Sequence, residues 1–128
     1  MPDILIVDDD TALCAWLQTV LRNDGYQARS VESGERMFAE LGRAVPDLLL
    51  LDVLLPGMNG MEALKRLRED PRTAAIPVIL VTVLDPRRYM REGLNLGADD
   101  FLVKPLSGAD VLKSVRSRIG RGTAGPTA

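Results

Sequence analysis

Three consecutive aspartates, Asp8, Asp9 and Asp10, follow an apolar run near the amino terminus, and a further carboxylate, Asp52, stands inside the apolar stretch LLLLDVLLPG at residues 48–57. Further on, the run IPVILVT ends at Thr82, and the run DFLV leads into Lys104 and Pro105. A carboxylate can serve as a nucleophile that forms an aspartyl phosphate, and phosphoryl transfer otherwise needs positioning and positive charge, which a metal, an ammonium and a hydroxyl supply. Three carboxylates gathered at one mouth repel, each pair at about 4 Å costing roughly 4 kcal/mol at an effective dielectric of 20, so the group requires a cation. Magnesium suits it, with manganese as an alternative, because Mg2+ prefers oxygen ligands and is held by one or two carboxylates together with a phosphate. The chain has no histidine and a single cysteine, Cys14. A Ser-His-Asp triad, a Cys-His pair and a phosphohistidine carrier are thereby excluded, and a zinc centre lacks its usual ligands.

Chemistry of this kind needs elements that bring distant residues to one place. Apolar strand-like runs recur at 3–7, 26–31, 47–51, 76–82 and 100–103, with helical patterns between and after them. The first helix shows a 3.6-residue period at Leu13, Leu17, Val20 and Leu21 and is stopped by Asp24-Gly25. The second is read over 33–41, with Ser33 as N-cap and Glu35 in the first turn; Arg36 in third place after Ser33 precludes a capping box. The others are read over 60–69, 86–96 and 107–119, the last with Val111, Leu112, Val115 and Ile119 on one face. Strict alternation of strand and helix predicts an α/β doubly wound (βα)5 parallel sheet of flavodoxin-like strand order 2-1-3-4-5. Ligands in such sheets bind beyond the carboxyl ends of the strands, where the order reverses. Asp8, Asp9, Asp10, Asp52, Thr82 and Lys104 all leave strands at that edge. An unpaired charge within a strand buried on both faces costs several kcal/mol or more, and a place at the strand end would relieve Asp52 of burial altogether.

The 128-residue length fits one domain, and 46% hydrophobic residues are ordinary for a globular protein. A net charge of -2 with interspersed signs speaks against nucleic-acid contact by this chain. One cysteine allows no internal disulfide, and Cys14 falls in a helical pattern as a core or half-buried residue. The opening MPDILIVDDD turns acidic at once, and no apolar run reaches the roughly 18 residues of a membrane span, so no signal peptide or membrane segment is expected and the expected compartment is the cytoplasm. Asp10 suits a helix N-terminus, and Arg87, Arg88 and Arg91 read as a solvated face.

Taken together, VDDD at the end of the first strand, D-x-x-x-P-x-x-x-G at Asp52, Pro56 and Gly60, VT at Thr82, and GADDFLVKP ending in Lys104-Pro105 resemble the receiver (CheY-like) domain of two-component response regulators. The resemblance covers residues 1–119, leaving 120–128 as a flexible tail or the start of a linker. It implies that Asp8 and Asp9 bind magnesium, that Asp52 is the phosphoacceptor and a metal ligand, and that Leu54 lends the metal its backbone carbonyl. It further implies Thr82 and Phe101 as switch residues, Lys104 as the phosphate-contacting lysine, and a cis bond before Pro105. A partner histidine kinase or phosphotransfer protein would donate the phosphoryl group, and the face of the fourth helix, fifth strand and fifth helix would carry the output. On that face Asp99, Asp100, Arg88, Arg116 and Arg118 could pair across a symmetric homodimer.

Where the family commonly has a small residue after the switch threonine, this chain has Val83, and the two positions that commonly tune phosphate lifetime are Leu54 and Leu84. Apolar side chains cannot orient a hydrolytic water, so a long-lived phosphorylated state is expected. Three rivals fit less well. A haloacid-dehalogenase phosphatase resembles D-x-D-x-T, but Ala12 stands at the last position and no cap domain has room. A flavin carrier would need a first loop that welcomes phosphate, which three aspartates repel. A receiver-like module that is never phosphorylated would have no need of Asp8, Asp9, Asp52, Thr82 and Lys104 together. The expected activity is therefore that of a phosphoacceptor signalling switch, which catalyses its own phosphorylation and slow dephosphorylation rather than turning over an external metabolite.

Overall fold

The computed structural model describes residues 1–83 and 86–120, apart from the side chains of Pro86 and Arg88. Ten elements alternate along the chain: β1 (Asp3–Val7), α1 (Thr11–Asn23), β2 (Gln27–Val31), α2 (Gly34–Arg43), β3 (Leu48–Asp52), α3 (Gly60–Glu69), β4 (Val78–Thr82), α4 (Pro86–Asn95), β5 (Asp100–Val103) and α5 (Gly108–Ile119). The strands form one parallel sheet in the order β2-β1-β3-β4-β5. This is the doubly wound (βα)5 arrangement read from the alternation.

Period-two side chains divide the core between the two faces of the sheet. Leu5, Val7, Leu49, Leu51, Val78 and Leu80 meet Met37 and Leu41 of α2 and Met61, Leu64 and Leu67 of α3. Ile4, Ile6, Leu48, Leu50, Ile79 and Val81 meet Leu17 and Leu21 of α1 and Val111 and Val115 of α5. The central strands are buried on both sides, which is why they read as continuous apolar runs rather than as alternating ones.

Side chains that accept from free N–H groups start the helices. Asp10 accepts from Leu13 N at the head of α1, Ser33 from Arg36 N at α2, Asn59 from Met61 N at α3 and Ser107 from Asp110 N at α5. Ser33 caps α2 without the reciprocal acid, as the Arg36 position requires. Several boundaries differ from the sequence reading. β4 begins at Val78 rather than 76, because Pro77 has no N–H for the ladder and contributes only its carbonyl, to Leu49 N at 2.9 Å. β3 runs from Leu48 to Asp52 rather than over 47–51; Asp47 stands just before it, its N–H donating to Asp3 O at 2.8 Å and its carboxylate accepting from Asp3 N at 2.7 Å. Tyr26 precedes β2 rather than opening it, and α2 continues to Arg43. The segment 120–128, read from the sequence as a tail or the start of a linker, lies outside the described residues apart from Gly120, as does Leu84.

Candidate functional site

The order reverses between β1 and β3, so the loops after these two strands diverge to opposite faces and leave a crevice between them. Asp8 follows the last residue of β1, and Asp52 is itself the last residue of β3, in register with Val81 of β4. Asp8, Asp9 and Asp52 each bring a carboxylate oxygen to within 4.8 Å of the other two. Lys104 reaches across from the end of β5, its Nζ 2.8 Å from Asp8 Oδ2 and 3.3 Å from Asp52 Oδ2. Thr82, at the end of β4, is fully buried, and its carbonyl accepts from Lys104 N at 2.9 Å, tying the hydroxyl-bearing residue to the ammonium-bearing one. The Lys104–Pro105 peptide bond is cis.

One expectation is corrected. The strand end does not spare Asp52 from burial: the residue is 5% exposed, and just beyond it the β3–α3 loop returns to the strand end, where Gly60 N bonds to Val53 O at 2.8 Å. Its charge is met by Lys104 and by Leu54 N, which donates to Asp52 Oδ1 at 3.2 Å. Burial first, and the Asp8 carboxylate second, still hold the Asp52 pKa above the ordinary carboxylate value, with Lys104 and the Leu54 amide offsetting part of the rise. At Lys104 burial pulls the pKa down, but hydrogen bonds and charges from Asp8 and Asp52 outweigh it and the net direction is upward, so the side chain is a firm cation at neutral pH. One ammonium against three carboxylates leaves negative charge that a divalent cation would balance, and all the donors are oxygens, as Mg2+ requires. The residues present therefore fit a hard divalent ion.

Contacts around the cluster add what residue types alone did not reveal. Asp10 N donates to Asp8 Oδ1 at 2.9 Å while the Asp10 carboxylate caps α1, so the third aspartate orients the first through its backbone. Cys14 is buried beneath the cluster, its Sγ 3.4 Å from Asp8 O, and burial together with the Asp8 charge pushes its thiol pKa up, away from thiolate chemistry. Leu54, two residues beyond the buried acid, and Val83, next after Thr82, are apolar side chains 47% and 64% exposed. Phe101 is 6% exposed and packed in the core on the α3 side of the sheet.

Charges read as dimer contacts are engaged within the chain. Arg116 pairs with Asp24, Arg118 donates to Asp99 O, and Arg68 Nη2 lies 3.3 Å from Asp99 Oδ2. Asp100 accepts from Ser114 Oγ. The Arg88 side chain lies outside the described residues. Exposed on this same face are the apolar Met90, Leu94 and Val103.

Residues 4–116 match the family model of the response regulator receiver domain. Among curated proteins, the sensory transduction protein RegX3 of Mycobacterium tuberculosis is 39% identical over 122 residues, covering 95% of this chain and 52% of RegX3. The chain thus spans about half the length of that relative. Among solved structures, a CheY-like response regulator receiver domain protein from Methanospirillum hungatei superposes with a TM-score of 0.86 at 28% identity, covering 93% of this chain and 94% of that one. The receiver domain of a sensor histidine kinase from Pseudomonas aeruginosa, described with a magnesium ion coordinated in its active site cleft, gives a TM-score of 0.83 at 26% identity, covering 93% of this chain and 98% of that one.

Proposed function

Because the chain belongs to the response regulator receiver domain family of two-component systems, whose members accept phosphoryl groups from histidine kinases, we propose that Asp52 is its phosphoacceptor and that acceptance depends on magnesium. The observation that carries this reading is the convergence of the Asp8, Asp9 and Asp52 carboxylates with the Lys104 ammonium at the strand ends. Asp8, Asp9, Asp52 and the Leu54 backbone carbonyl would hold the ion, Mg2+ or Mn2+. When bound, it would neutralise charge between the acceptor carboxylate and an incoming phosphoryl group.

The chain's own residues account for the rest. The Asp52 carboxylate attacks the phosphorus of a phosphohistidine on a partner kinase or phosphotransfer protein, and the imidazole leaves. Lys104, already a cation at 3.3 Å from Asp52, pairs with the arriving negative charge. Thr82 donates its hydroxyl to the transferred group and moves toward it, and that movement repacks Phe101 and alters the α4-β5-α5 face. Output domains, protein partners or a second copy of the chain would read that face. Homodimerisation there would rest on Met90, Leu94 and Val103 rather than on the charges already engaged internally. Residues 1–119 form the receiver, with a linker or tail from 120. Slow loss of the phosphoryl group to water completes the cycle, without turnover of an external metabolite.

No helix among the described residues is long and apolar enough to cross a membrane; the site of action proposed with this reading is the cytoplasm. The test is incubation with Mg2+ and a small acyl or amido phosphate, read by intact mass. Wild type gains one phosphoryl mass; Asp52→Asn does not. Labelling that survives this substitution would refute the assignment of Asp52.

A further inference from the structure

The β3–α3 loop closes on itself at one residue. A Cβ built on Gly60 would stand 2.4 Å from Asp52 O and 2.7 Å from Val53 Cα, distances that real Cβ atoms essentially never show. Both atoms belong to backbone, so no flexible side chain can swing away. The contact is reinforced by the bond from Gly60 N to Val53 O at 2.8 Å. On one side α3 is anchored by the buried Met61, Ala63, Leu64 and Leu67, and Asn59 caps its start by accepting from Met61 N. On the other side the strand end is held by its register with β4 and by Val53 N donating to Val81 O at 3.1 Å. Two anchored elements thus meet where only a glycine fits, and the segment between them contains Leu54, whose N–H holds the Asp52 carboxylate.

We infer that Gly60 is a positioning residue for the metal site: by letting α3 begin in contact with the Asp52–Val53 backbone, it sets the loop conformation that fixes the Asp52 carboxylate and the backbone at Leu54. The inference rests on the proposed metal role of those two residues. A side chain at position 60 must push the strand end and the helix start apart, and the loop that joins them absorbs the movement. Metal affinity then falls because the ligands are no longer held in place, while Asp8 and Asp9, which follow β1, stay where they were.

Glycine substitutions elsewhere separate this from general destabilisation. Gly93→Ala also collides, at 2.5 Å, but with the side-chain Leu80 Cδ1 under α4, away from the acidic cluster. Gly42→Ala in α2 meets nothing within 4 Å, and alanine is the better helix former there. Asn59→Ala loosens the start of α3 without any clash and remains a usable variant if Gly60→Ala does not fold.

The experiment is calorimetric titration of each folded variant with Mg2+ alone, beside its thermal unfolding curve. Gly60→Ala should bind Mg2+ about tenfold or more weakly, the usual scale for disturbing a group that orients metal ligands. Asn59→Ala should weaken it by a smaller factor, and Gly93→Ala should keep wild-type affinity despite a lowered melting temperature. If Gly60→Ala and Asn59→Ala, or Asn59→Ala alone where the former does not fold, bind Mg2+ as tightly as wild type, the inference is overturned. It is equally overturned if Gly93→Ala loses affinity in proportion to its stability. Absence of Mg2+ binding by wild type would instead overturn the proposed metal site itself.

Discussion

At Asp52 two requirements oppose each other: the proposed phosphoacceptor role needs the ionised acid, yet burial and the Asp8 charge favour its protonated form. Because the folded chain holds the Asp52 proton more tightly than the unfolded chain does, stability falls as pH rises from the ordinary carboxylate value through the raised one, and stays reduced above it. Below the ordinary value both states are protonated and the penalty is absent. Asp52→Asn removes the ionisation, so without divalent cations it should melt above wild type at neutral pH, by roughly 4 °C for each kcal/mol relieved. The gap should close as the pH drops below the carboxylate range; a variant that melts below wild type at neutral pH contradicts this account. Beside the acid, exposed Leu54 contributes no group that could orient water. Leu54→Asn combined with Leu84→Glu should speed decay of the phosphorylated protein in magnesium buffer about tenfold, equivalent to 1.4 kcal/mol of barrier. Equal or slower decay would show that these leucines do not set the lifetime. The acids were legible as a cluster because their types and order are distinctive. The burial of Asp52 was not, since it depends on how segments far apart in the chain pack around the strand end.

In the proposed switch, Phe101 would link strand to face. Its ring is already inside the core, among residues that include Leu80 and Met61, so any response to phosphoryl arrival is a repacking of a buried group and not the entry of an exposed one. Phe101→Leu keeps most of the volume and should cost less than about 1.5 kcal/mol. It should accept phosphoryl groups as wild type does but fail to transmit them. With a beryllofluoride mimic, wild type should change its mass in solution or its Phe101 ring resonances, and Phe101→Leu should show no change in mass. A mimic that alters neither property in wild type would end the proposal that Thr82 and Phe101 form the switch. The elements themselves were largely readable: α3 spans 60–69 as its pattern predicts, and β5 spans 100–103. Ends moved where a local atom decided, as where Pro77 delays β4 for want of an N–H.

For the molecule as a whole, a ligand that binds only the folded state must stabilise it. Mg2+ at about a hundred times its dissociation constant should add about 2.7 kcal/mol, raising the melting temperature, and the rise should shrink in Asp8→Asn and Asp9→Asn. Equal shifts in wild type and both variants would place the ion elsewhere. Strand and helix alternation, the absence of histidine and the ordered Asp, Asp, Thr and Lys-Pro signals sufficed to predict a doubly wound sheet with an acidic edge, because parallel strands buried on both faces need continuous apolar runs and crossover helices need a 3.6-residue stripe. Those are local patterns, written residue by residue. Pairing is different, because it depends on which side chains the folded chain brings within about 4 Å. Arg116 found Asp24, Asp99 found Arg68, and Asp100 found Ser114, so charges that looked available for a second copy are engaged at home. Burial of Asp52, the inward ring of Phe101 and the glycine-only contact at position 60 belong to the same class, since each is set by distances between segments far apart in the chain or by a loop's return, and only the tertiary structure specifies those.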